Sequence, residues 1–318
     1  MESPGWNCLV IDAGARYGLH PSWRDARDLC EFHLFEPEPI EADRLKIRYK
    51  AFKNISVHPK ALALQSGTET LILRAHLGLS TLISHELDTS LLLPKFRYLG
   101  SETRRIEVAT VCIDDYFSNK RVDFMKLDTE GSDFEILQGA TKALTNTVLG
   151  VRINVNFRRI HSNSPTFSEI DIWLSELGFY FRNLEMDVNS GNTKGLFPLS
   201  TSSGSLIAGD AIWTRDPKSV SESNNIETIT YYALFLYLNG LEDVGLQFLV
   251  DSSKLASLQF ESATDNKVVY LLETKILAHL ASALTAGWWD SKEIYKTYTK
   301  LFNKEFPTKE DLYLRLNP

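Results

Sequence analysis

Short apolar runs separated by polar turns characterise the first two thirds of the chain. Such runs occupy residues 8–11 and 32–35, and the run at 122–127 is apolar enough for a strand that is buried on both faces of a sheet. Helical spacing of apolar residues follows the run at 122–127, so strands and helices alternate. This pattern predicts an α/β fold.

The segment at residues 122–144 gives the clearest strand–turn–helix pattern. Gly131 permits a tight turn after the strand, and Ser132 is predicted to cap the next helix, with Glu135 completing a capping box. The apolar face of that helix is formed by Phe134, Leu137, Ala140 and Leu144.

Two carboxylates, Asp128 and Glu130, stand where the strand at 122–127 ends. Open α/β sheets bind ligands at the carboxyl ends of their strands. The alternative is that these two side chains only cap the following helix. Since Ser132 is predicted to supply that cap, we favour the functional interpretation.

Three further segments extend the predicted sheet. Residues 149–157 alternate between apolar and polar side chains, which predicts a half-exposed strand, and 179–184 and 206–214 are predicted as the last two strands. A helix between the strands at 149–157 and 179–184 is predicted from the capping box of Thr166 and Glu169, and Gly178 is predicted to end this helix. A loop rich in Ser, Gly and Asn at 189–205 is interpreted either as a mobile lid or as a plain connector.

The last hundred residues have a different pattern, with apolar positions at helical spacing throughout. Helices are predicted over 226–250, with a break near Gly240, over 267–286, and after the capping residues Asp290 and Glu293. We therefore predict two domains, 1–217 with the sheet and 218–318 as an all-helical extension. The extension either packs on the sheet domain, shapes the acceptor pocket, or forms a homodimer.

Composition narrows the function classes. The chain has 318 residues, 43% of them hydrophobic, and a net charge of −7 without a basic block, so neither nucleic acid nor a membrane is predicted as a partner. Its three cysteines show no metal-ligand spacing and are predicted to be buried thiols of a reducing compartment. With no membrane-length apolar run and no cleavable signal, a cytoplasmic protein without a metal is expected.

A glycine-containing loop follows the first strand, where Gly14 and Gly18 could bring the backbone close to a nucleotide-like ligand. A short helix is predicted at 22–29. Glu36 ends the next strand, about 20 residues beyond the loop, which is the usual spacing for a carboxylate that accepts hydrogen bonds from ribose hydroxyls.

Three blocks of the sequence together resemble one known family. VIDAGARYG at 10–18, LFEP at 34–37 and FMKLDTEG at 124–131 resemble the hallmark blocks of the FkbM-type methyltransferases, which are class I S-adenosylmethionine-dependent enzymes. The segments HPKAL at 58–62 and VCIDD at 111–115 also fit. The resemblance covers residues 8–215, and an ordered series of blocks is more specific than any single one.

This resemblance implies a Rossmann-like, doubly wound sheet of seven strands, with S-adenosylmethionine across the carboxyl ends of the first strands. By position, the implied cofactor-binding residues are Asp12, Gly14, Ala15 and Gly18 on the methionine side, Glu36 and the adjacent Pro37 at the ribose, Ala61 and Leu62 near the adenine, and Asp128 facing the cofactor. Arg16 stands where such loops usually have a small or amide residue.

Methyl transfer to a hydroxyl requires a group that removes its proton. The candidates for this role are Glu130, Asp128, His20 and His161. Glu130 is placed best, at the strand end. For each histidine, a surface or packing role is the alternative, and Asn154 and Asn156 occupy the region where the family has a glutamate.

The sequence therefore predicts a methyltransferase that uses S-adenosylmethionine, releases S-adenosylhomocysteine and O-methylates a small molecule or sugar. Two other functions stay open. One is a catalytically inactive Rossmann-like module that acts through its helical extension. The other is a nicotinamide-dependent oxidoreductase, although no Tyr/Lys or His catalytic set follows the glycine loop.

Overall fold

The computed structural model describes residues 8–83, 98–159, 164–185, 192–193, 205–223, 225–255, 267–286, 291–302 and 305–308. The strands are β1 (Cys8–Ala13), β2 (Cys30–Phe35), β3 (Ile55–His58), β4 (Ala61–Leu62), β5 (Gly67–Arg74), β6 (Glu102–Val111), β7 (Phe124–Leu127), β8 (Gly150–Asn156), β9 (Phe179–Glu185), β10 (Asn192–Thr193), β11 (Ser205–Leu206) and β12 (Ala208–Arg215). The α-helices are α1 (Pro39–Tyr49), α2 (Ile113–Tyr116), α3 (Asp133–Gln138), α4 (Thr141–Asn146), α5 (Phe167–Glu176), α6 (Pro217–Glu222), α7 (Ile226–Leu238), α8 (Glu242–Leu255), α9 (Lys267–Ala286) and α10 (Ser291–Phe302). His161, Asp290 and most of the loop predicted at 189–205 lie outside the described residues.

Seven strands form the main sheet, in the order β3-β2-β1-β7-β8-β12-β9. Parallel pairs join β2 to β3, β1 to β7 and β7 to β8, whereas β12 is antiparallel to both of its neighbours. A separate three-stranded sheet has the order β4-β6-β5. The predicted α/β fold with a seven-stranded, doubly wound sheet is confirmed.

The two faces of the central strands differ in polarity because side chains alternate along each strand. One face carries Ile11, Met125 and Ile153, which are completely buried against residues of α3, α4 and α5. The other face carries Asp12, Lys126 and Arg152, which occupy the same register position on β1, β7 and β8. One face of the central strands therefore packs against a continuous apolar core, and a row of charged side chains crosses the other face.

Three local predictions are wrong. The helix predicted at 22–29 is a 3₁₀ turn, Pro21–Trp23, followed by further turns. The strand predicted as half-exposed at 149–157 is β8, which is largely buried because it lies between β7 and β12. The alternation of apolar and polar residues along β8 indicates which face of the strand is apolar. It does not indicate whether the polar face is exposed to solvent.

The third correction concerns the predicted Ser132 cap. The side chain of Ser132 makes no capping hydrogen bond to α3. The Asp133 carboxylate accepts hydrogen bonds from the backbone N–H groups of Thr129 and Gly131 at 3.0 and 3.2 Å, which stabilises the turn before α3. The predicted long helix also divides into α3 and α4, and Gly139 between them leaves room for a close backbone approach, since a Cβ there would lie 2.7 Å from the Ala63 carbonyl oxygen. The capping box of Thr166 and Glu169 before α5 is present as predicted.

The chain divides into two compact units. The sheet unit comprises residues 9–20 and 31–215, and the helical unit comprises the described residues of 1–8, 21–30 and 216–318. Helix α7 forms the centre of the helical unit and is buried on nearly all sides, and the ring of Trp23 packs against that of Phe235 at 6.0 Å. None of the helices in the described part of the chain is both long and apolar enough to cross a membrane.

Candidate functional site

A cleft opens at the carboxyl ends of β1, β2 and β7, within the sheet unit. It contains about 670 Å³ of empty space, a volume that includes open solvent. The sequence-predicted residues that line it are Gly14, Glu36, Pro37, Ala61, Leu62 and Asp128. Of the other predicted site residues, Asp12, Ala15, Gly18, His20 and Glu130 do not line it.

The loop after β1 packs tightly against the end of β7. Gly14 has a φ of 74°, and a Cβ at this position would lie 1.9 Å from the carbonyl oxygen of Asp128. The N–H of Ala15 donates to the carbonyl of Phe35 at 3.1 Å, which fixes the loop beside the end of β2. Gly18, with a φ of 92°, leaves space for the hydroxyl of Tyr49 on α1. All three residues thus position the cleft wall, and Gly14 also forms part of it.

Glu36 follows β2 and is almost fully buried, with 4% of its surface exposed. Its Oε1 accepts a hydrogen bond from the N–H of Glu38 at 2.9 Å. Burial raises the pKa of Glu36 to about 7, although the N–H of Glu38 and the guanidinium of Arg16 act in the opposite direction. A carboxylate in this position can accept hydrogen bonds from a ligand, and a ligand that donates them would favour its charged form.

Part of the cleft lining is apolar. Ala61 and Leu62 of β4 are 6% and 2% exposed, and Phe35, Pro37 and Leu71 also line this part. An aromatic base can pack against such a wall while hydroxyl groups reach Glu36. The residues present therefore fit an adenosine-containing cofactor, as judged from the apolar wall beside a buried acceptor.

Asp128 and Asp12 share one buried cation. The Nζ atom of Lys126 lies 3.3 Å from Asp128 Oδ2 and 3.4 Å from Asp12 Oδ1. Burial disfavours the charged form of Lys126, but the two carboxylates outweigh it and raise the pKa of Lys126. Asp128 lines the cleft and is partly exposed, whereas Asp12 is completely buried below it. Lys126 thus holds Asp128 at the edge of the cleft.

His20 lies beside the charged row of the sheet. Its backbone N–H donates to Asp12 Oδ2 at 3.2 Å. Burial lowers the pKa of His20 to about 4, and the positive charges of Arg152 and Lys126 contribute in the same direction. The imidazole is therefore neutral near pH 7 and is a weak base.

Glu130 occupies a strained backbone position next to the cleft. Its φ is 57°, which few residues other than glycine adopt, and its carbonyl accepts a hydrogen bond from the Thr81 hydroxyl at 2.9 Å. Burial raises the pKa of Glu130 to about 8, with further contributions from Asp128 and Asp133. Its neighbour Thr129 lines the cleft. A carboxyl group with a pKa near neutrality is suited to proton transfer.

Three contributions to the site are missing from the sequence prediction. Lys126 pairs with both aspartates, Thr81 holds the backbone of Glu130, and Arg16 lines the cleft beside Glu36. The role of Lys126 could have been inferred from the sequence, because a lysine inside a strand that is predicted to be buried requires charged or polar partners. Within the described ranges, no three His, Cys, Asp or Glu side chains are placed to hold a metal ion.

Comparison with known proteins adds one family match. A family model described as the methyltransferase FkbM domain matches residues 12–181. No curated protein matches this chain. Among solved structures, methyltransferase FkbM from Methylobacillus flagellatus KT is 15% identical, with a TM-score of 0.40, over 66% of this chain. The match covers 44% of that protein's chain.

Proposed function

This chain belongs to the FkbM methyltransferase family, and from that premise we propose that it transfers a methyl group from S-adenosylmethionine to a hydroxyl of a small molecule or sugar. The observation that carries the proposal is that Gly14, Glu36 and Asp128, from three separate sequence blocks, line a single cleft. These blocks are far apart in the chain, so their meeting at one cleft is a property of the fold.

The cleft offers each part of the cofactor a suitable partner. Glu36 would accept hydrogen bonds from the ribose hydroxyls, and the apolar wall at Ala61 and Leu62 would pack against the adenine. The close packing of Gly14 leaves backbone at the cleft surface. Asp128 would face the charged end of the cofactor, since it is the partly exposed carboxylate beside Lys126.

When bound, S-adenosylmethionine supplies a methyl group on a positively charged sulfur that is a good leaving group. The protein's part is to hold the acceptor hydroxyl in line with that methyl group and to receive its proton. As the new C–O bond forms and the S–C bond breaks, the hydroxyl proton passes to a base. We assign that role to Glu130, because it follows Thr129, which lines the cleft, and because its deprotonated carboxylate, with a raised pKa, is a stronger proton acceptor than His20.

Isothermal titration calorimetry with S-adenosylmethionine, S-adenosylhomocysteine and NAD tests the proposal. We expect both adenosyl ligands to bind and NAD to bind at least tenfold more weakly. Binding of NAD with no response to the other two would contradict the proposal and favour an oxidoreductase. Binding of the adenosyl ligands without methyl transfer to any acceptor would favour the catalytically inactive module.

A further inference from the structure

The mouth of the cleft lies between two segments that come from different sheets. Among the described residues that line the cleft, Tyr17 and Leu77 are the most exposed, at 67% and 43%. Tyr17 belongs to the loop after β1, which is part of the seven-stranded sheet. Leu77 begins a 3₁₀ turn, Leu77–Leu79, that follows β5 of the three-stranded sheet. These two segments therefore form the outer rim of the cleft.

The side chain of Tyr17 reaches across this mouth and contacts Gly78 in the turn. A Cβ at Gly78 would lie only 2.7 Å from the Tyr17 hydroxyl oxygen and 2.9 Å from Cε1 of His76. Gly78 does not have a positive φ, so its backbone conformation does not require a glycine. What glycine provides at this position is space, and the Tyr17 hydroxyl occupies part of that space.

The main chain at Tyr17 is fixed, whereas its side chain is free to rotate. The carbonyl of Tyr17 accepts a hydrogen bond from Arg48 Nη1 at 2.9 Å, and the N–H of Gly18 donates to the carbonyl of Ala15 at 2.7 Å. Within the described part of the chain, no hydrogen bond or ring contact holds the Tyr17 side chain. Exposed side chains change rotamer rapidly, so the ring can leave Gly78 without any movement of the loop.

We propose that Tyr17 and Gly78 form a gate at the mouth of the cleft. The ring closes the mouth while it rests on Gly78, and its rotation admits and releases the ligand. The identity of that ligand, an adenosyl cofactor, rests on the proposed function, but the gate itself belongs to the ligand-free protein. A gate slows both entry and exit of a ligand, whereas a residue that only contacts the bound ligand slows exit alone.

The first test needs no ligand. Ser132 lines the cleft and is 2% exposed, and the three native cysteines are buried, so the thiol of a Ser132→Cys protein reports access from solvent when it reacts with iodoacetamide. If the gate is closed in about nine tenths of the free molecules, its removal should raise the rate about tenfold. We expect this increase when Tyr17→Ala is added, and also when Gly78→Ala is added, because the new methyl group displaces the ring.

Tyr180→Ala is the matched control, because Tyr180 on β9 is also exposed, at 53%, and does not line the cleft. It should leave the reaction rate of the thiol unchanged. Gly78→Ala should add nothing to a protein that already carries Tyr17→Ala, because both substitutions remove the same contact. An unchanged rate in Tyr17→Ala, or increases from the two substitutions that simply add, would overturn the inference. Tyr17 is exposed, so Tyr17→Ala should fold with unchanged stability in urea unfolding.

The second test follows S-adenosylhomocysteine binding by surface plasmon resonance. We expect Tyr17→Ala to raise the association and dissociation rate constants by similar factors, about tenfold, and to change Kd less than about threefold. A faster dissociation with unchanged association would make Tyr17 a ligand contact only and would overturn the gate. If the unsubstituted protein does not bind S-adenosylhomocysteine while Tyr17→Ala still accelerates the thiol reaction, the gate stands and the proposed cofactor fails.

Discussion

At the scale of single residues, the protonation state of Glu36 is expected to determine how strongly the proposed ligand binds. The carboxylate is the form that accepts hydrogen bonds from ribose, and burial raises the pKa of Glu36 to about 7. Ligand binding should therefore be strongest above pH 7 and weaken by about tenfold for each pH unit below it, since binding then displaces a proton.

Substitution of this residue gives the first prediction. Glu36→Gln should weaken binding of S-adenosylhomocysteine by about 1–3 kcal/mol, because a neutral amide replaces the charged acceptor. Calorimetry between pH 5.5 and 8.5 should also show that the steep slope below pH 7 is lost. The same slope in both proteins would mean that another group, such as the ligand's own amine, causes it.

A second prediction concerns Glu130. A general base must be deprotonated, so kcat/KM should rise with pH up to about 8, the value to which burial raises this pKa, and level off above it. Glu130→Gln should slow transfer by about 10²–10⁴-fold and leave cofactor affinity unchanged. Lost cofactor binding with normal turnover per bound cofactor would instead make Glu130 a binding residue, and His20 would become the leading base among the described candidates.

The buried cation gives a third prediction, on stability. Lys126→Met should lower the free energy of unfolding by about 3–5 kcal/mol, because it leaves the Asp12 carboxylate buried without its cation. Lys46→Met is the control, since Lys46 and its partner Asp43 are exposed and such pairs contribute at most about 1 kcal/mol. If urea unfolding shows the same loss of free energy of unfolding for Lys126→Met and Lys46→Met, Lys126 does not stabilise the buried aspartate.

Residues that end a strand could be located from the sequence, and residues that pair across strands could not. Glu36 and Asp128 follow apolar runs and line the cleft as that position predicts. The pairing of Lys126 with Asp12 depends on the register of β1 with β7, and the approach of Arg16 to Glu36 depends on the path of the loop. Both are set by tertiary contacts that local patterns do not contain.

At the scale of elements, the loop after β1 is held by a steric requirement at Gly14. Gly14→Ala should destabilise the protein by about 2 kcal/mol more than Gly178→Ala, as measured by thermal unfolding. Both glycines have positive φ, but a Cβ at Gly14 meets the backbone of Asp128 at 1.9 Å, whereas a Cβ at Gly178 has no heavy atom within 4 Å. If the two variants lose similar stability, the strain of a positive φ alone accounts for both effects, and the contact with Asp128 adds nothing.

The elements also show where local signals are reliable. The strands β1, β2 and β7, the helices predicted over 226–250 and 267–286, and the capping box before α5 were predicted correctly, because each depends on its own sequence pattern. The helix expected at 22–29 is absent, and these residues group with the helical unit instead. The predicted Ser132 cap does not form, and the Asp133 carboxylate stabilises the turn before α3, where it accepts the N–H groups of Thr129 and Gly131.

At the scale of the whole molecule, the two units are interleaved along the chain, because residues 21–30 lie between β1 and β2 but belong to the helical unit. Truncation after Pro217 would remove the partners of this segment, including Phe235 against Trp23 and Lys275, which pairs with Asp25. The domain boundary at 217 and dimerisation through the helical extension stay predictions.

We expect the truncated protein to be less stable than the full chain and to show red-shifted tryptophan fluorescence, as Trp23, 2% exposed in the full chain, meets solvent. The Trp23→Phe variant of the truncated protein is the control for the fluorescence change. A truncated protein that stays soluble, monomeric and as stable as the full chain would make the helical region an independent appendage.

The central claim is that one cleft, bounded by Gly14, Glu36 and Asp128, binds an adenosyl cofactor. A crystal structure of the protein with S-adenosylhomocysteine tests this most directly. We predict electron density with the ribose hydroxyls within hydrogen-bonding distance of Glu36, and with the adenine against Ala61 and Leu62. Density for the ligand at any other place, or a ribose directed away from Glu36, would contradict the account.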